Sequence, residues 1–261
     1  MKFPCAFTAA AQTDSQYKPD HHSFFIKQSA DTSLPLEKLD QNFLINGVKD
    51  GVAVAARPAH WQQKDWLRFS ALLAGTGTLL AFDEKLRHAA LTHRSTFANG
   101  VAEFVEPVGS FYGIALFPVV YATGLAIRNP RVQSVGLRGS KAMAISTTMA
   151  FVTKNLIRRQ RPDATDQPFQ FALPFAKPKY TSLPSAHAAV AFTIATTLAS
   201  EFPDQKWLPP VAYSLASLTA LSRVYEKRHW SSDILLGAAL GYFATKAVYK
   251  IGKKKRRLSA Y

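Results

Sequence analysis

Apolar positions recur along this chain in two distinct ways. Residues 36–54 place Leu36, Leu39, Phe43, Leu44, Val48 and Val52 at helical spacing, with polar residues opposite. That pattern predicts an amphipathic helix, either lying on a membrane surface or packed on the domain, with Arg57-Pro58 ending it. From Trp66 the pattern changes to long apolar runs. Residues 66–82 hold one charge, Arg68, near their start. Residues 83–106 are polar to amphipathic, with Phe97, Val101, Phe104 and Val105 on one side. Residues 107–127 carry no charge and are long enough to span a bilayer, and Arg128, Pro130 and Arg131 stop them. Further runs cover residues 138–157, 184–201, 207–224 and 232–249.

These six segments predict an all-α fold, a helical bundle of about six core helices, read as transmembrane. Three regions follow. Residues 1–65 are a polar N-terminal tail with the amphipathic helix near 36–54, residues 66–252 are the bundle, and residues 253–261 are a basic C-terminal tail. The opening apolar stretch is short and interrupted by Pro4, a poor secretory signal. Thr147, Thr148, Thr196 and Thr197 would allow close helix contacts in lipid, and would equally suit a soluble bundle.

Charge narrows the partners. The formal net charge is +15. No nucleic-acid motif accompanies it, and the cations fall at helix ends beside apolar runs, which favours anionic lipid headgroups and phosphorylated substrates over nucleic acid. Cys5 is the only cysteine, so an internal disulfide is impossible.

The candidate chemistry lies in three blocks between residues 154 and 233. Lys154, Arg161 and Arg223 offer three cations to the oxygens of a phosphate ester, where charge spreads during transfer. Lys154 and Arg161 are seven residues apart, so on one helix they would share a face, and Arg161, preceding Pro162, is expected at or just beyond the helix end. Ser185, after Pro184 and before good helix formers, sets a hydroxyl and backbone N–H groups at a helix N-terminus. His229 and Asp233 are four apart, within one turn's reach, and the carboxylate would fix the imidazole that attacks phosphorus. His187 would protonate the leaving oxygen. No acidic or cysteine cluster suggests a metal. Any one of these pieces alone marks no more than a helix boundary; their order and spacing together make the site.

Lys154-x6-Arg161-Pro162, Pro184-Ser185-Ala186-His187 and Ser222-Arg223-x5-His229-x3-Asp233 resemble the three motifs of the type 2 phosphatidic acid phosphatase superfamily. That group includes lipid phosphate phosphatases, bacterial class A acid phosphatases and vanadium haloperoxidases. The resemblance, over about residues 66–250, implies an all-helical fold, a phosphohistidine intermediate and no metal or other cofactor. It implies His229 as nucleophile, Asp233 as its partner and His187 as acid, with Lys154, Arg161, Ser185, Ala186 and Arg223 around the phosphate. One departure stands out: Ala186 occupies the place where the family usually has glycine. Activity should survive unless that position needs positive φ.

If the six segments cross a membrane alternately, all three blocks fall at one edge. The basic C-terminus then lies on the cytoplasmic side and the site faces the extracytoplasmic side, as in a protein of the bacterial inner membrane. The expected function is metal-independent hydrolysis of a lipid phosphate or diphosphate. The alternatives are a soluble secreted or periplasmic acid phosphatase on the same helices, vanadate-dependent halide oxidation, and an inactive lipid-binding relative.

Overall fold

The computed structural model describes Leu34, residues 36–174 and residues 180–259, with side chains to Lys255. The polar tail of residues 1–33 and Cys5 lie outside the described residues, as do Lys177 and Lys179 of the loop after residue 163. Among the described residues the chain forms eight α-helices and no strand: α1 (Gln41–Ala55), α2 (Gln63–Thr92), α3 (Thr96–Gly109), α4 (Phe111–Ala126), α5 (Pro130–Ile157), α6 (Ala186–Glu201), α7 (Leu208–Tyr225) and α8 (Ser231–Ser259). The all-α expectation holds.

Local chemistry sets the boundaries. Asp40 caps α1 by accepting the Phe43 N–H, and Asn129 caps α5 just before Pro130, whose missing N–H costs nothing at a first helical position. Two sequence expectations need correction. The apolar run 107–127 is not one helix. Pro107 and Gly109 close α3, and Ser110 caps α4 by accepting the Tyr112 N–H, so the two helices meet at a 50° bend. The basic residues after 252 are not a loose tail, because α8 continues to Ser259. Helix α1 stops at Ala55, just before Arg57-Pro58 as expected, and Arg57–His60 form a short 3-10 turn.

Helix α6 is the innermost element and packs on α5, α7, α8 and α3. Seven of its ten buried positions are alanine or threonine, and the other three are Val190, Ile194 and Glu201. Helix α8 crosses it closely through Gly237 and Gly241, where an added Cβ would fall 2.3 Å from the carbonyl oxygens of Ser185 and Ala189 respectively.

Trp230 and Phe117 are buried, but many other large apolar residues face outward. Phe97 (81% exposed), Phe104 (79%) and Phe111 (75%) stand on the surface of α3 and α4. In α1 the stripe Leu44, Val48 and Val52 is exposed, while Asp50 on another side is buried against Lys141 and Lys255. Small residues at the α6 helix contacts and large apolar side chains on the outer surface are the distribution expected when lipid is the solvent. Helix α8 is long and apolar enough to cross a membrane over Ser231–Lys255, and the bent α3–α4 pair passes the same test as a unit.

Candidate active site

Four helix ends carry the predicted residues. Lys154 lies in the last turn of α5 and Arg223 in the last turn of α7; Ser185 and His187 open α6, and Asp233 opens α8. Helix α5 ends because Arg158 takes a left-handed conformation, φ 49°. Arg161 therefore sits in the loop beyond, past the helix end as the following proline predicts, and not on a helix face with Lys154. It still acts electrostatically on Lys154, His187 and His229, so the first and third blocks meet. Lys154 Nζ donates to the Thr181 carbonyl at 2.5 Å. Arg161 Nε is buried with no hydrogen-bond partner in the protein.

Ser185 is the N-cap of α6, its Oγ accepting the Ala188 N–H at 3.4 Å. Its own N–H is taken, donating to the Asp233 carbonyl at 3.0 Å. That bond ties the second motif to the third through the backbone. Ala186 is the first residue of α6, and positive φ among the described non-glycine residues occurs only at Arg128, Arg158 and Lys227. The conformation that would demand glycine is therefore not adopted at Ala186.

His229 precedes α8, in the turn after Tyr225. Trp230 accepts the Asp233 and Ile234 N–H groups at the head of α8, and Asp233 Oδ2 accepts the Trp230 N–H in return at 2.9 Å. The carboxylate thus lies in the first turn of a helix, where the N–H dipoles favour it. His229 Nδ1 stands 3.7 Å from Asp233 Oδ2, an ion-pair distance and longer than a hydrogen bond. Burial pushes the His229 imidazole down to about 4, Asp233 opposes the shift, and the Lys154 and Arg161 cations add to it. The ring is neutral at neutral pH, with Nδ1 toward the carboxylate and Nε2 left for other work.

Sequence reasoning missed the groups that hold this carboxylate. Arg159 is fully buried; its Nη1 donates to Asp233 Oδ1 and Ser232 Oγ, both at 2.7 Å, and its Nη2 to Asp83 Oδ2 at 2.8 Å. Asp83, in α2, also accepts the Ser232 N–H at 2.9 Å. Ser182 Oγ donates to Asp233 Oδ2, and the Arg159 guanidinium lies 5.2 Å from the Trp230 ring centroid. The single signal in the sequence was Asp83, an acid set directly against an apolar run; nothing marked Arg159 within its basic cluster. Glu106, in α3, was missed as well. Its Oε1 lies 3.2 Å from His187 Nε2 and 3.5 Å from Arg223 Nη1.

An apolar groove of about 390 Å³ runs beside these residues, lined among others by Leu86, Ala90, Phe97, Val101, Leu218 and Leu221. Ser222 and Ser231, neighbours of Arg223 and His229 along the chain, also line it. Among the described residues no group of three or more His, Cys, Asp or Glu side chains could hold a metal ion. The positive charge at this place comes from lysine and arginine.

Residues 140–257 match the family model of the PAP2 superfamily. The lipid A 1-phosphatase of Porphyromonas gingivalis is 34% identical over 110 residues, 42% of this chain. The undecaprenyl-diphosphatase of Sulfolobus acidocaldarius is 31% identical over 143 residues, 55% of this chain. The chain spans 22% of the length of the first of these relatives and 65% of the second. The decaprenylphosphoryl-5-phosphoribose phosphatase of Mycobacterium tuberculosis is 31% identical over 160 residues, which are 61% of this chain and 81% of that protein. The transmembrane PAP2 type phosphatidylglycerolphosphate phosphatase from Bacillus subtilis superposes with a TM-score of 0.55 at 25% identity, covering 71% of this chain and 96% of that one.

Proposed function

The chain belongs to the PAP2 superfamily, and from that premise we propose that it is a membrane phosphatase acting on a lipid phosphate through a phosphohistidine intermediate. His229 is the nucleophile. Its Nε2 attacks phosphorus while Asp233 stabilises the charge that develops on the ring. Lys154, Arg161 and Arg223 neutralise the phosphate oxygens, and Ser185 with the first turn of α6 supplies further donors. His187 gives its proton to the leaving oxygen, then takes one from the water that releases phosphate from His229.

The observation that carries this reading is the state of His229. It is a buried, neutral imidazole with Asp233 at one nitrogen and two cations acting on it. A structural histidine has no need of Lys154 and Arg161 pushing its proton away, whereas a nucleophile facing a phosphate dianion does. The neighbouring apolar groove and the exposed aromatic surface support a substrate with a hydrocarbon tail. The basic end of α8 supports a site facing the extracytoplasmic side.

The test is phosphate release by the full-length chain in detergent, compared with His229→Ala. The wild type should turn over phosphatidate and form an acid-labile phosphoenzyme on rapid quenching. Equal rates in the two proteins would remove the nucleophile from His229.

A further inference from the structure

Glu106 has no task in the reaction described above, yet it is held firmly at the site. Its side chain is 36% exposed and stands against the His187 ring. Gly109, one turn further along α3, packs directly on α6, and a Cβ there would lie 2.8 Å from His187 Cβ and 2.9 Å from Thr219 Cγ2. Thr219 of α7 donates to the carbonyl of Val105, the residue before Glu106, at 3.2 Å. At the other end of α3, Tyr225 Oη donates to Asn99 Oδ1 and Arg94 Nη2 to the Tyr225 carbonyl. Helix α3 is thus fastened to α6 and α7, and the fastening fixes where the Glu106 carboxylate stands.

The charges facing His187 come from three elements. Arg223 approaches from α7 and Arg161 from the loop after α5, both cationic, and Glu106 approaches from α3. Among the described residues, Glu106 is the one carboxylate in contact with the His187 ring. We propose that Glu106 is the positioning residue of His187, and that its carboxylate makes the site select phosphomonoesters of an alcohol over diphosphates. This deepens the phosphatase reading and rests on it.

The chemistry of the leaving group gives the reason. In a monoester, the bond from phosphorus to His229 forms as the bond to an alkoxide breaks. The alkoxide is a strong base, so His187 must hand it a proton and is left neutral. Two guanidinium groups work against keeping that proton on the ring, and an adjacent carboxylate works for it. Water then attacks the phosphohistidine, His187 takes a proton from it, the P–N bond breaks and inorganic phosphate departs. In a diphosphate, the leaving group is itself a phosphate anion, which departs without help from an acid. It would bring negative charge against Glu106, where like charges repel. One carboxylate therefore aids the first leaving group and opposes the second.

The experiment uses the full-length chain in detergent, as wild type and Glu106→Gln, with His229→Ala as the baseline. Three substrates separate the effects: phosphatidate, farnesyl diphosphate and p-nitrophenyl phosphate, whose leaving group needs little protonation. The wild type should prefer phosphatidate to the diphosphate. Glu106→Gln should lower kcat on phosphatidate by about tenfold or more with KM little changed. It should leave p-nitrophenyl phosphate within about threefold and raise the relative rate on the diphosphate. An equal loss on all three substrates would assign Glu106 a structural role and overturn the proposal, as would a wild type that prefers the diphosphate. Wild-type turnover no higher than that of His229→Ala would instead overturn the phosphatase reading on which it stands.

Discussion

Arg159 Nη1 lies 2.7 Å from Asp233 Oδ1, and neither side chain has any exposure to solvent. The other arm of the same guanidinium reaches Asp83 in α2, so one cation joins two buried carboxylates from separate helices. Breaking such a pair leaves an uncompensated charge, which costs about 3–5 kcal/mol. Arg159→Met should therefore destabilise the protein by about that amount and lower kcat by misplacing Asp233. Asp83→Asn keeps the shape and should cost less. Loss of folded protein along a temperature ramp in detergent measures both.

The pH response follows from His229. With the ring held at about 4, the neutral form persists well below the ordinary value for histidine. The acid limb of kcat/KM should fall as pH approaches about 4, not near 6.5. Stability carries the same sign. Below about 6.5 the unfolded chain takes up a proton that the folded site refuses, so stability is full above that pH and declines toward about 4. Rate profiles and melting curves between pH 4 and 8 check both statements.

Ala186→Gly tests the departure from the family motif. Because Ala186 opens α6 without positive φ, glycine should change kcat by less than about threefold. It should also lower stability slightly, by up to about 1 kcal/mol, since glycine loses more freedom on folding. A large gain in rate would mean that the alanine methyl obstructs the phosphate.

Gly241→Val probes the α6–α8 crossing. The added carbon atoms would meet the Ala189 carbonyl and its Cα, which backbone cannot yield. Overpacking of this kind costs about 1–3 kcal/mol. Activity should fall too, although Gly241 lies more than two turns from Asp233, because both α6 and α8 carry site residues. Comparing kcat per folded molecule with thermal stability separates the two effects.

The motifs were legible because the chemistry sits in short runs at helix ends, where capping residues and prolines announce the boundary. Lys154, Ser185, His187, Arg223, His229 and Asp233 could all be placed that way. Pro162 placed Arg161 at or beyond the end of α5, although nothing in the run before it announces a left-handed Arg158. The 50° bend at Ser110 was illegible to a hydropathy pattern, which registers length and polarity but not direction. Asp83, Arg159 and Glu106 escaped for another reason. The side-chain and Ser232 partners of the first two lie 73 to 149 residues away, and Glu106 and His187 are 81 residues apart, so no local spacing encodes them.

Helix α8 is continuous from the turn that bears His229 to the lysines at its far end. At about 1.5 Å per residue, the 25 residues from Ser231 to Lys255 measure about 37 Å, more than the ~30 Å of hydrocarbon in a bilayer. The helix is thus a ruler with a charged mark at its lower end. In a bilayer, once Lys255 and its partner Asp50 rest among the headgroups of one leaflet, the opposite tip can stop only among those of the other. Under the proposed function, which phosphates the site meets is then a matter of depth as well as fit: it would work at the waterline, on molecules whose tails keep them afloat there.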